Sequence, residues 1–456
     1  MKKPLPDRPS LLALTLARGS GGRFIADDTH RVDVAGLAAS SSLGAAAETL
    51  RGRSVLIATQ KQLPAALAAL ALDGVAARIL LCPPDLPSRH LSSIVGDAGV
   101  NGVVADDAEP LVPGLANVVA RSDLQAPFAP PPVRDIATEW VLFTSGTTGR
   151  PKLVRHTLDS LIGPLADGLA VPDRAVWSTF YDVRRYGGLQ ILLRALLGGA
   201  SMVLSSAAEP VGAFLQRAGR EGVTHISGTP SHWRRALMSP DASAMHPGYV
   251  RLSGEVADQG ILDQLRAAYP GASVAHAYAS TEAGVAFDVR DGLAGFPASA
   301  LTGGAAEMRV EDGTLRIRSG RTASGYLGAD FAAPGGFVDT GDMVERRGDR
   351  YYFVGRREGV INVGGQKVYP EEVEAVINAH PAVRMCRVWA RHSPITGAVV
   401  AAEIVLADDH ADFDTVRDQV LAACRAALPG FKVPATLRRA AAIAIAESGK
   451  LVRHDA

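Results

Sequence analysis

"VLFTSGTTGRPKLVRHT", residues 141 to 157, places six consecutive Ser, Thr and Gly residues (144 to 149) between an apolar strand and a helix-like stretch. Glycines let a backbone come close to a ligand, hydroxyls and amides donate to anionic oxygens, and Lys152 adds a positive charge. Thr144, Ser145, Gly146, Thr147, Thr148, Gly149 and Lys152 are therefore candidates for holding phosphate. Composition alone leaves a flexible polar turn open as the other reading. The loop is not of the GxxxxGK[ST] kind, because Lys152 follows Pro151 and precedes Leu153.

On both sides of the loop, short apolar strands alternate with helical stretches. "SVLIAT", "ARILLC" and "GVVAD" precede it; "AVWSTF", "SMVLSS", "THISGTP", "YVRLSGE" and "SVAHAYAS" follow. Strands separated by helices imply βαβ units and a parallel sheet. "LQAPFAPPPVRD" reads as a linker, since its four prolines sustain neither helix nor central strand. From about 303 to 355 the pattern changes to short strands with Gly-rich turns, Asp312-Gly313 among them, which predicts antiparallel hairpins. The last hundred residues mix helix and strand into a small α+β unit.

A chain of 456 residues exceeds one core and predicts two or three domains. Lys plus Arg and Asp plus Glu each number 47, so no bulk positive charge points to nucleic acid or an anionic membrane. Cys82, Cys386 and Cys424 fit neither a metal-ligand spacing nor a disulfide framework, and a reducing cytoplasm is the expected location. No stretch approaches the roughly 20 apolar residues of a membrane span. The short apolar run Leu11 to Ala17 is approached through Pro4, Pro6, Asp7 and Arg8 and lacks a cleavage pattern, so export is not expected.

Further motifs follow the loop: "LSGE" (252 to 255), "YASTEAG" (278 to 284), "DTGDMVERRGDRYYFVGRREGVINVGGQKVYPEEVEAVI" (339 to 377) and "ESGKLVR" (447 to 453). In this order they resemble the adenylate-forming superfamily of acyl-CoA synthetases, peptide-synthetase adenylation domains and luciferases, over nearly everything from about 50 to 453. The resemblance implies an α/β fold: a large N-terminal core with a β-rich subdomain (1 to 355), a hinge (356 to 359) and a small mobile α+β C-terminal domain (360 to 456). It also implies a reaction in which a carboxylic acid attacks the α-phosphate of ATP, pyrophosphate leaves, and the acyl-adenylate passes its acyl group to a thiol.

Matched to that family, residues 144 to 152 grip the β and γ phosphates, and Gly254 and Glu255 close the adenine side. Tyr278 stacks on adenine, with Ala279 and Ser280 in the same motif, and Thr281 meets the α-phosphate. Glu282 holds Mg²⁺, an ion suited to a hard carboxylate. Asp342 takes the ribose hydroxyls and Arg356 also reaches the ribose. Glu358 is the hinge, Gly364 and Gly365 border the pantetheine tunnel, and Lys450 bridges carboxylate and phosphate as the adenylate forms. Taken singly, Glu282 would equally suit a helix N-terminus, Asp342 a turn beside Gly341, and Arg356 or Lys450 a solvated surface.

The chain departs from the family pattern at Ala279, where glycine is usual, and the added methyl predicts a compact aryl or short acyl acid. The acid pocket is assigned to Arg185, Tyr186, Gly187 and Ala279. Tyr186 stands where amino-acid-activating domains carry an aspartate, which argues against an amino-acid substrate. Arg184 and Arg185 either hold a second carboxylate or form a solvated face. No carrier motif follows Lys450, so the thiol is external: coenzyme A first, a separate acyl carrier protein as the alternative. A non-catalytic adenylate-binding protein is the third reading, against which the presence of Glu282 and Lys450 speaks.

Overall fold

The computed structural model describes residues 9–124, 135–144, 151–165, 174–304, 306–330, 336–394, 396–408, 410–446 and 449–451. Ser145 to Gly149 of the Gly-rich loop and most of the Pro-rich linker lie outside these. Two eight-stranded sheets carry the N-terminal half. In the first, Glu139–Thr144, Arg78–Leu81, Ser54–Ile57, Gly102–Ala105 and Asn117–Val119 run parallel. In the second, the parallel strands run from Ser273–Ser280 through Tyr249–Leu252, His225–Gly228, Val176–Thr179 and Ser201–Leu204 to Phe24–Ala26. The strands read from the sequence are all present.

The helices Gln62–Leu72 and Tyr186–Gly198 lie in one core with residues of both sheets, such as Ile57 and Leu142 from one and Ile25 and Met202 from the other. All of Gln62–Leu72 is buried, which explains a helix apolar all round rather than on one stripe. Its polar end is satisfied: Gln62 Nε2 donates to the Ser205 carbonyl at 2.7 Å, and its Oε1 accepts from Val183 N at 2.8 Å. The run Leu11–Ala17 belongs to the same core as a helix capped by Ser10, and Leu11 N donates to Asp73 Oδ2 at 2.8 Å.

One local expectation is corrected. The stretch after the Gly-rich loop is not helical at first: Lys152–Thr157 is a strand paired antiparallel with Glu139–Thr144, Thr144 opposite Lys152. The helix begins only at Leu158, after Thr157 caps it by accepting from Ser160 N. The apolar residues of the strand, Leu153 and Val154, are adjacent and fix no period of their own, so pairing across the loop decides the outcome.

A five-stranded antiparallel sheet follows, including Glu307–Glu311, Thr314–Arg318, Val338–Arg347 and Arg350–Arg356. One of its two-residue turns is Asp312-Gly313, with φ of 51° and 73°, the left-handed pair that a type I′ hairpin needs. Residues 361 to 437 build a separate core from the hairpin Ile361–Val363/Gln366–Val368, a three-stranded sheet and the helices Pro370–Asn378 and Phe413–Ala427. The cysteines Cys82, Cys386 and Cys424 are free and buried. Among the described residues no helix is long and apolar enough to cross a membrane.

Candidate active site

A cleft of about 1600 Å³ opens between the C-terminal ends of the second sheet, the antiparallel sheet and the C-terminal unit. Parallel strands deliver loops to such an edge, where ligands bind α/β folds. At one wall, the strand Ser273–Ser280 ends in the turn that carries Thr281 and Glu282 before Gly284–Val289 returns. Gly284 (φ 78°) makes that turn possible, since a Cβ there would stand 2.5 Å from the Arg321 carbonyl oxygen.

Tyr278 projects from this strand and stacks on Phe353 and Phe287, ring centroids 5.1 and 5.8 Å away. Its hydroxyl donates to Asp342 Oδ2, and Arg356 Nε donates to Asp342 Oδ1 at 2.9 Å. Asp342 and Arg356 face each other across neighbouring strands, so the pairing register itself assembles the cluster. Burial, then the Asp342 carboxylate, pushes the Tyr278 hydroxyl well above its usual range. Each Asp342 oxygen keeps a lone pair, because a carboxylate accepts about four hydrogen bonds.

Glu282 accepts from the Tyr326 hydroxyl at 3.3 Å, and the Lys152 ammonium lies 5.2 Å from the Tyr326 ring. Tyr326 thus links the strand after the Gly-rich loop to the acidic turn. Thr144 at the start of the loop has its Oγ1 buried without a hydrogen-bond partner among the described residues. Beneath the turn, His156 Nε2 lies 2.8 Å from the Thr281 carbonyl; a carbonyl only accepts, so Nε2 carries the proton. Its Nδ1 meets Ser160 Oγ at 3.1 Å, its ring stacks on Tyr186, and burial depresses its pKa to about 4.

Lys450 arrives from the C-terminal tail, its Cε about 4.0 Å from where a Cβ on Gly254 would lie. The residues around it hold the ammonium below the usual lysine range, first by desolvation and then through the Arg356 guanidinium, against Glu255, Asp342 and Glu282. It still lines the cleft and is exposed there. Its loop is tied down on both sides, by Thr229 Oγ1 donating to the Gly449 carbonyl at 2.6 Å and Leu451 N donating to Glu255 Oε1 at 2.9 Å.

Arg185, Tyr186, Gly187 and Ala279 also line the cleft, with Ser280 beside them. Arg185 is paired with Asp85, and Arg184 is neither a solvated face nor a ligand. Only 1 % exposed, it pairs with Asp182 and donates to the Thr59 and Gln60 carbonyls.

The sequence of the chain matches the AMP-binding enzyme family model over residues 37–327 and the AMP-binding enzyme C-terminal domain over 372–450. The chain belongs to the AMP-binding enzyme family. It is 27% identical over 407 residues to a feruloyl-CoA synthase from Amycolatopsis sp, covering 80% of each chain. It is 25% identical over 408 residues to a 2-succinylbenzoate–CoA ligase from Listeria innocua, covering 84% of each. The fold superposes on an anthranilate CoA ligase, AuaEII, in complex with anthranoyl-AMP, with a TM-score of 0.81 at 17% identity over 98% of this chain and 96% of that one.

Not every candidate of this AMP-binding enzyme meets in the cleft. Gly364 and Gly365 form the turn of the hairpin 361–368, both with positive φ, and do not line it. Four contributors were not legible from motifs: His156, Tyr326, Thr229 and His232. His156 stands inside the opening stretch, but nothing local marks it as the support of a turn 125 residues away. Thr229 caps the helix Pro230–Leu237 by accepting from His232 N, and nothing near it in sequence ties it to the tail.

Proposed function

We propose that this enzyme activates an aromatic carboxylic acid and transfers it to coenzyme A. The enzyme is an AMP-forming acid–thiol ligase: a carboxylate oxygen attacks the α-phosphorus of ATP, the bond to the bridging oxygen breaks, and pyrophosphate leaves. The thiol then loses its proton to solvent, its sulfur bonds to the acyl carbon, the bond from that carbon to the phosphate oxygen breaks, and AMP departs. The observation that carries the reading is the convergence of Tyr278, Asp342, Arg356, Glu282 and Lys450, from separate elements of both halves, on one cleft.

The chain's groups divide the work by position. Tyr278, Asp342 and Arg356 form the wall suited to a nucleoside, with an aromatic face and a carboxylate that has acceptor capacity left. Thr144 and Lys152 flank the Gly-rich loop, where the Thr144 hydroxyl, buried without a partner among the described residues, is fitted to donate to an anionic oxygen. Lys450 stands where it can bond attacking carboxylate and phosphate oxygens together, and its partial desolvation strengthens that interaction. Mg²⁺ held by Glu282 would neutralise phosphate charge; one carboxylate is enough, because substrate phosphates and water complete the shell of this ion. Residues 356 to 359 serve as the hinge between the halves 1–355 and 360–456, and a swing there would bring Gly364 and Gly365 to the acyl group.

The aromatic acid is supported by the Ala279 methyl, by Tyr186 in the pocket, and by the aryl acids named for the relatives. Pyrophosphate release over a panel of benzoates, cinnamates, straight-chain acids and amino acids, followed by product analysis with coenzyme A, tests it. Release with aromatic acids and formation of the aryl-CoA thioester is the expected result. No release with any acid overturns activation; release without a CoA thioester points to a carrier protein as acceptor.

A further inference from the structure

We propose that Glu255 is a positioning residue for Lys450, a latch that holds the tail in the arrangement used for adenylate formation and has no part in thioester formation. The proposal rests on the function above. Glu255 sits just past the strand Tyr249–Leu252, at the end of the motif matched to the adenine side, yet both its oxygens are engaged elsewhere. Oε2 accepts from Ser231 N at 2.9 Å, in the first turn of the helix Pro230–Leu237. Oε1 accepts from Leu451 N, the residue directly after Lys450, also at 2.9 Å. One carboxylate thus joins a fixed helix N-terminus of the large half to the mobile tail.

The surroundings complete a seat for that tail. Thr229, the cap of the same helix, donates its hydroxyl hydrogen to the Gly449 carbonyl. Gly449 lies against the face of His232, so closely that a Cβ at this position would fall on the imidazole ring. His232 is itself wedged between Phe180 and Tyr181, with centroids 5.5 and 5.6 Å away, and cannot yield. Within the tail, Ala446 N donates to the Lys450 carbonyl at 2.8 Å, and Ile445 bridges Leu451. Ile445 and Leu451 pack with Met238 of the large half and Met385 and Val405 of the small one. The two amides and the hydroxyl fix the backbone on both sides of Lys450, which leaves only its side chain to aim. The bonds from Thr229 and Glu255, and the contacts with His232 and Met238, cross from the large half to the tail, so a swing of the C-terminal unit would break these four.

Glu255→Gln is the discriminating variant, because an amide has one acceptor oxygen and cannot receive both the Ser231 and Leu451 N–H groups. Hydrogen exchange of the ligand-free protein should show the peptide containing residues 449–451 losing protection by about tenfold. With benzoate and ATP–Mg²⁺, pyrophosphate release should fall about 10- to 100-fold, the size of one lost charge-assisted hydrogen bond. Thioester formation from supplied benzoyl-adenylate and coenzyme A should stay within about twofold of wild type, because that step does not use the latch. In a Lys450→Ala background the same change should cost nothing further, since there is no ammonium left to aim. Thr229→Asp is the second variant: it still caps the helix but has no hydrogen for the Gly449 carbonyl, and it should show the same split. Unchanged tail exchange in both variants, equal loss in both half-reactions, or an undiminished loss on top of Lys450→Ala overturns the latch. A wild type that releases pyrophosphate with no acid would overturn the proposed function instead, and hydrogen exchange would still decide the latch.

Discussion

At the scale of single residues, His156 ties stability to pH. Its folded pKa, about 4, lies below the ordinary value of 6.5 because burial disfavours the charged ring. Between those values the unfolded chain binds the proton that the folded one refuses, so stability is full above pH 6.5 and falls as the pH drops toward 4. One histidine so placed costs on the order of 3 kcal/mol at the acid end. Urea unfolding at pH 7 and 4.5 should show His156→Gln, which retains an N–H for the Thr281 carbonyl, losing less stability than wild type on acidification. His232, depressed to about 3, keeps part of the slope in that variant. Equal slopes for both proteins would place the acid sensitivity elsewhere. Ala279 bears on the proposed selectivity: half-buried against the main core, it lines the cleft with a methyl where the family pattern has none. Ala279→Gly should raise kcat/KM for acids longer by a methylene by about 1 to 3 kcal/mol, read from a ladder of substituted benzoates and straight-chain acids. A ladder unmoved by the change would assign pocket size to other residues.

At the scale of elements, what could be read from the sequence was what local chemistry decides. Buried parallel strands are short apolar runs, Asp312-Gly313 suits a tight turn, and each motif residue in the cleft sits in a motif that the family resemblance, not its own chemistry, had already placed. The strand Lys152–Thr157 was misread because its identity depends on a partner across the loop, not on its own residues. The seat of the tail was illegible for a stronger reason: Thr229 and Gly449 are 220 residues apart, and Glu255 and Leu451 are 196 apart. No period or motif links such pairs; only the fold does. Gly449 gives an element-scale test. Its φ of 78° and its contact with His232 both forbid a side chain, so Gly449→Ala should unseat the tail and lower adenylation by about 100-fold. The melting temperature should move by no more than about 2 °C, because the tail lies outside the main cores. Adenylation at the wild-type rate would show that Lys450 reaches its target without this seat.

At the scale of the whole molecule, the cleft holds Lys450 while Gly364 and Gly365 stand apart from it, so the proposed part of these glycines in thioester formation requires a second arrangement of the chain. The proposed hinge supplies that turn. Arg357 is anchored on the large half, donating to Thr314 Oγ1 at 2.6 Å and Asp339 Oδ2 at 3.0 Å, which puts the proposed pivot after it. Glu358 is the next residue, exposed in a single 3₁₀ turn, and the hairpin of the small half starts at Ile361. Glu358→Pro fixes φ near −65° and should hold the chain in one arrangement. Because the present arrangement has Lys450 in the cleft, the variant locked here should still make the acyl-adenylate and release pyrophosphate in a single turnover. Transfer to coenzyme A should fall by at least about 100-fold, and the adenylate should remain bound to the protein. Quenched-flow assays of the two half-reactions, with the retained adenylate recovered by filtration, would measure this. Wild-type rates in both halves would move the hinge to another residue, and loss of adenylation with transfer intact would mean that proline selects the opposite arrangement.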